Sequence, residues 1–123
     1  MELSLDRPED FLFIRRADAH AVTVVDRELT RSFILARDRA IEDWDASDVA
    51  ALTPQQAEPI LALKPDVVLL GSGVRQQFPS QAVLAEFLKR GVGVEVMDNA
   101  AAARTWNVLA GEHRNVVAAF ILA

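Results

Sequence analysis

No cysteine occurs among the 123 residues, which excludes disulfides, thiolate metal sites and cysteine nucleophiles and leaves the redox compartment open. An excess of cationic residues is also lacking. Thirteen Lys and Arg stand against 18 Asp and Glu, and the formal net charge of -5 turns the chain away from nucleic acid and anionic lipid. No apolar run approaches the roughly 18 residues of a membrane span. The start, "MELSLDRPEDFLF", sets Glu2, Asp6, Glu9 and Asp10 against Arg7 alone. A secretory signal needs a basic start and a longer apolar run, and a transit peptide avoids acids. The expectation is a soluble, unprocessed, cytoplasmic protein with no integral membrane segment. What is present is ordinary: 51% hydrophobic and 25% charged residues predict one globular domain, 1–123, with a real core.

Short extended segments fill the first third. "FLFIRR", "AVTVV" and "LTRSFILA" are joined by short polar connections and predict antiparallel hairpins, with "RAIEDW" as a further strand. Then the pattern changes. Thr53-Pro54-Gln55-Gln56 is a capping box opening a helix that ends near Leu63, ahead of Lys64-Pro65. "DVVLL" follows as a buried strand, and Val83, Leu84, Phe87 and Leu88 form one stripe of a helix over 79–90. "VGVEVM" is the next strand, Asp98 or Asn99 caps a helix reaching Gly111, and "NVVAAFILA" closes the chain as a strand. Strands alternating with helices of this length imply crossovers and parallel neighbours. The fold class is α/β.

Chemistry is harder to place. "DVVLLGSGVRQQFP" runs a strand into a glycine-flanked loop, as phosphate binders do. A dinucleotide fingerprint needs a third glycine where this chain has Gln76, and a phosphate loop needs Gly-Lys where it has Gln76-Gln77. A nucleophile elbow around Ser72 needs glycines where Leu70 and Val74 stand. Gly71 and Gly73 are read first as turn residues, and second as a loop whose N–H groups from Ser72 to Arg75 face a small anion. If "DVVLL" and "VGVEVM" are parallel neighbours, Gly71, Ser72, Gly73 and Arg75 lie near Asp98 and Asn99 at the edge where α/β sheets bind ligands. Arg104 and Asn107, in the first turns of the next helix, complete the candidate ligand or partner site. The bland reading has Asp98 as a helix cap and Arg104 paired with a carboxylate.

Metal chemistry fails. "EDWDASD" gathers Glu42, Asp43, Asp45 and Asp48, but an EF-hand loop begun at Asp43 would need glycine at Asp48 and glutamate at Pro54. His20 and His113 are the only histidines and have no metal-ligand spacing, so both read as surface side chains, and Trp106 reads as core. No catalytic set, metal or cofactor is indicated.

"DVVLLGSG", Pro79 and "EVMDNAAAARTWNVLAGEHRNVVAAFIL" resemble a small family of uncharacterised single-domain proteins that includes a mitochondrial assembly factor for respiratory complex I. Its members often carry threonine at Ser72 and Asn99, and cysteine and tyrosine at Ala103 and Trp106. Serine keeps the hydroxyl in the turn, and the missing cysteine counts against thiol chemistry. The resemblance implies a three-layer fold with a central mixed, largely parallel sheet and N-terminal antiparallel hairpins. It implies no agreed catalytic residues, and it implies protein partners. The expected function is therefore a non-enzymatic interaction or assembly module. A small-molecule (anion or nucleotide) binder or enzyme at the Gly71–Gly73 and Asp98 edge is the alternative.

Overall fold

A computed structural model describes residues 11–112 and 114–123. The acidic start at 1–10 and His113 lie outside the described residues. The N-terminal segments fold into two sheets. β1 (Ile14–Ala17), β2 (Val22–Val24) and β3 (Arg27–Leu29) form an antiparallel sheet in sequence order. β4 (Phe33–Leu35) and β5 (Ala40–Ile41) join the larger sheet, which continues with β6 (Val67–Gly71), β7 (Gly93–Met97) and β8 (Val116–Phe120) in the order β5-β4-β8-β6-β7.

"LTRSFILA" is thus two strands in different sheets, not one. Ser32 marks the corner: it is buried, and its Oγ accepts the Leu122 N–H at 2.9 Å while its carbonyl accepts the Trp44 N–H at 3.1 Å. The extended stretch at "RAIEDW" pairs only at Ala40 and Ile41.

Three helices link the parallel strands. α1 (Pro54–Leu61) opens on the expected box, with Thr53 Oγ1 accepting the Gln56 N–H and Gln56 Oε1 accepting the Thr53 N–H. α2 (Gln81–Leu88) begins two residues later than the expected start at about Pro79, because Ser80 is the cap and its Oγ accepts the Val83 N–H. Gly91, at φ 72°, takes the left-handed turn that ends it. α3 (Asn99–Gly111) is capped by Asp98.

β8 lies between β4, antiparallel to it, and β6, parallel to it, while β7 pairs parallel with the other side of β6. This mixed sheet is the middle of three layers. Because strand side chains alternate faces, Val116, Ala118 and Phe120 pack with Trp106 of α3 and the small sheet, whereas Val117, Ala119 and Ile121 pack with α1 and α2. Both faces are covered, as the all-apolar β8 requires. Trp106 is fully buried and its indole N–H is satisfied by the Leu12 carbonyl at 2.8 Å, so it belongs to the core.

Candidate functional site

The parallel register sets Gly71 of β6 opposite Met97 of β7 and opposite Phe120 of β8, so three strand ends align at one edge. Gly71 is there because of crowding. A Cβ at this position would stand 2.5 Å from Asn99 Oδ1 and 2.9 Å from the Phe120 ring. Gly73 is the turn residue, at φ 107°.

Asn99 ties the edge together. It is fully buried; its N–H donates to the Gly73 carbonyl at 2.8 Å, and its Oδ1 accepts the Gly73 N–H at 3.1 Å. Its Nδ2 donates to the Asp18 and Ile121 carbonyls, each at 3.0 Å. Both amide protons are engaged, and three distant segments meet on one side chain.

Ser72 acts similarly on the loop after β6. Its N–H donates to the Met97 carbonyl at 2.8 Å, and its Oγ accepts the Gln77 N–H at 3.1 Å. The single hydroxyl proton serves the Arg75 carbonyl at 2.8 Å or that of Met97 at 3.1 Å. Gln76 Nε2 donates to the Val96 carbonyl at 2.8 Å. Asp98 Oδ1 accepts the Ala101 N–H at 2.8 Å as the helix cap.

Of the four N–H groups in the anion reading, Ser72 to Arg75, two are engaged within the protein. The Ser72 and Gly73 N–H groups point into the protein, to Met97 and Asn99, and α2 starts only at Gln81. Arg104 is exposed and has no carboxylate partner among the described residues. Asn107 does not reach the edge at all: its amide accepts the Ile14 N–H at 2.9 Å and donates to the Ile14 carbonyl at 2.8 Å, finishing the open side of β1. Gly71, Ser72, Gly73, Asp98 and Asn99 are brought together, with Arg75 exposed beside them.

Against this edge lies an open cleft of about 360 Å³, lined by His20, Asp48, Ser72, Gly73, Gln77 and Ile121, among others. His20 is positioned by Asp18, whose Oδ1 accepts the His20 N–H at 2.8 Å and the Ala21 N–H at 2.9 Å. Those two bonds hold the Asp18 carboxyl below its ordinary value, with smaller help from the His20 and Arg16 charges against a small opposing desolvation. Asp48 Oδ1 accepts the Ala50 N–H at 3.2 Å, starting the short 3-10 turn Val49–Ala51. The sequence alone reads His20 as a surface side chain and places Asp48 only in an acidic loop that fails as a metal site. Asp18 two residues before His20 is a turn signal, but nothing local places that turn beside Asp48.

A family model described as "Protein of unknown function (DUF498/DUF598)" matches residues 14–121. The chain belongs to this family. A Danio rerio protein named NADH dehydrogenase (ubiquinone) 1 alpha subcomplex assembly factor 3 is 34% identical over 84 residues, 67% of this chain and 48% of that protein. The chain therefore spans about half the length of that relative. The "13 kDa major membrane protein" of Francisella tularensis subsp. holarctica (strain LVS) is 30% identical over 90 residues, covering 72% of this chain and 73% of that protein. An NMR structure of a Xanthomonas campestris protein is 47% identical, covers 99% of this chain and 92% of that one, and superposes with a TM-score of 0.84. The three-layer α/β architecture and the family resemblance carried by the strand-edge and α3 motifs both stand. Among the described residues no helix is long and apolar enough to cross a membrane, and no group of three or more His, Cys, Asp or Glu is placed to hold a metal.

Proposed function

We propose that this protein is a non-enzymatic interaction module that assists assembly of a protein complex. One observation carries the reading: the loop after β6 is fixed underneath and carries two exposed apolar side chains. Ser72 and Gln76 fasten it to the Met97 and Val96 carbonyls, while Val74 is 79% and Phe78 58% exposed. A fixed apolar projection loses little further freedom on binding, which is what makes such side chains effective anchors for a protein partner. The polar residues below it hold backbone and form no nucleophile–base pair. The named role of the Danio rerio relative supports a protein partner, and the net charge of -5 argues against a nucleic-acid one. Cytoplasmic residence is part of the same reading.

The test replaces both apolar side chains. Val74→Ser with Phe78→Ser changes only exposed groups, so the melting temperature stays within that of a typical surface substitution, about 0.5 kcal/mol in stability. Affinity capture from the soluble fraction of the native cell recovers a defined partner with the parent protein and loses it with the variant. Equal recovery with both proteins, or turnover of a metabolite by purified protein that captures no partner, overturns the reading.

A further inference from the structure

The cleft beside this loop is not used by the interaction reading, and its chemistry points elsewhere. We infer that it is a binding site for a small molecule carrying a primary amine or similar hydrogen-bonding cation on an apolar body. Its volume of about 360 Å³ lies in the range of small-ligand pockets. No Lys or Arg lines it, and its acidic side chain is Asp48. The one side-chain bond that Asp48 makes among the described residues uses Oδ1, leaving Oδ2 for a cation. The His20 ring and the Gln77 side-chain amide also line the cleft; neither makes a hydrogen bond among the described residues, and the His20 ring attracts the Asp18 carboxylate. Val74 and Ile121 supply apolar wall. An anion would meet a carboxylate here and neither lysine nor arginine, and the N–H groups of Ser72 and Gly73 are already engaged. The exposed Asp48 carboxylate gains a charge-assisted bond from a cation it faces and repels an anion.

The probe is tyramine, set against 4-hydroxyphenylacetate, which replaces the amine by a carboxylate, and against inorganic phosphate. NMR amide shifts of the full chain are followed during titration. The expected result is a saturable shift at His20, Gly73, Val74 and Ile121 with tyramine, and none with the acid or phosphate. Asp48→Asn weakens tyramine binding about tenfold or more while the fold survives, since asparagine caps as well as aspartate. Asp45→Asn removes a charge from the same loop but outside the cleft, and leaves the affinity unchanged. Phe78→Ser, also outside the cleft, likewise leaves it unchanged, which separates this site from the partner surface. Acid or phosphate binding as tightly as the amine, no saturable shift, or equal weakening by Asp48→Asn and Asp45→Asn overturns the inference.

Discussion

Replacing Gly71 by alanine adds a single methyl at the most crowded point of the strand edge. The new Cβ would sit 2.5 Å from Asn99 Oδ1 and 2.9 Å from the Phe120 ring, so a neighbour must move. The backbone itself has no objection, because Gly71 is in a β-strand and alanine in a strand interior is about 0.5–1 kcal/mol better than glycine. Against that gain stands overpacking, at about 1–3 kcal/mol. Asn99 cannot retreat cheaply. Its amide serves the Gly73 N–H and the Asp18 and Ile121 carbonyls, and each buried group left without a partner costs about 1–3 kcal/mol. The expected net loss is about 2–3 kcal/mol.

Asn99→Ala removes the same bonds directly and is expected to cost about 2–5 kcal/mol, the largest part from the buried Ile121 carbonyl. In that background the methyl of Gly71→Ala has the vacated space of Oδ1 to occupy. The double variant is therefore expected to lose about 1–2 kcal/mol less than the two single losses added together. Urea unfolding followed by fluorescence measures all four proteins, with Trp44 and Trp106 reporting from the two opposite cores. Additivity within about 0.5 kcal/mol would show that Gly71 and Asn99 do not share a constraint and would refute the account.

Two further expectations concern backbone and charge. Lys64 follows α1 at φ 53°, a left-handed conformation that costs a non-glycine residue about 1–2 kcal/mol, and its side chain is exposed. Lys64→Gly should stabilise by about 0.5–1 kcal/mol once the unfolded-state entropy of glycine is deducted, raising the urea midpoint at unchanged slope; a lower midpoint contradicts it. Asp18 has its pKa lowered from 3.8 by the His20 and Ala21 N–H groups, so its contribution is present above the unfolded value and is lost as pH falls through the folded one. Stability should decline below about pH 4, and Asp18→Asn, which keeps an accepting oxygen, should show a shallower decline; identical slopes refute the assignment.

Local signals in the sequence carried far. The Thr53–Gln56 box, the Asp98 cap and the alternation from Pro54 onward all rest on contacts within four residues or on side-chain period, and the structure has them as expected. The parallel pairing of β6 with β7 followed from the crossover between them. What was not legible depends on long-range closure. Nothing near Ser32 shows that its hydroxyl will meet Leu122, 90 residues away, and so split one apolar run between two sheets. Asn99 looks like an ordinary first-turn residue until β8 is inserted between β4 and β6, which carries Ile121 to it. Asn107 has the composition of a site residue but lies on the helix face that meets β1. The cleft draws on residues around 20, 48, 72 and 121, and no spacing rule links those four numbers.

That distribution of labour narrows where activity can reside. At the strand edge the eye-catching polar residues, Ser72, Asn99 and Asp98, each bind backbone, so altering them changes stability first and any activity only through it. Groups without such duties sit just outside: Val74 and Phe78 on the loop and the His20 ring in the cleft, beside Asp48, whose Oδ1 caps a turn while its Oδ2 has no bond among the described residues. Val74 borders both, being exposed on the loop and part of the cleft wall. A ligand seated against Val74 would change the face offered to a partner, and by linkage a partner would change the ligand's affinity by the same factor. Phe78→Ser and Asp48→Asn each touch one side of that boundary alone. Measured separately and then together, they tell whether the loop and the cleft are two surfaces or one.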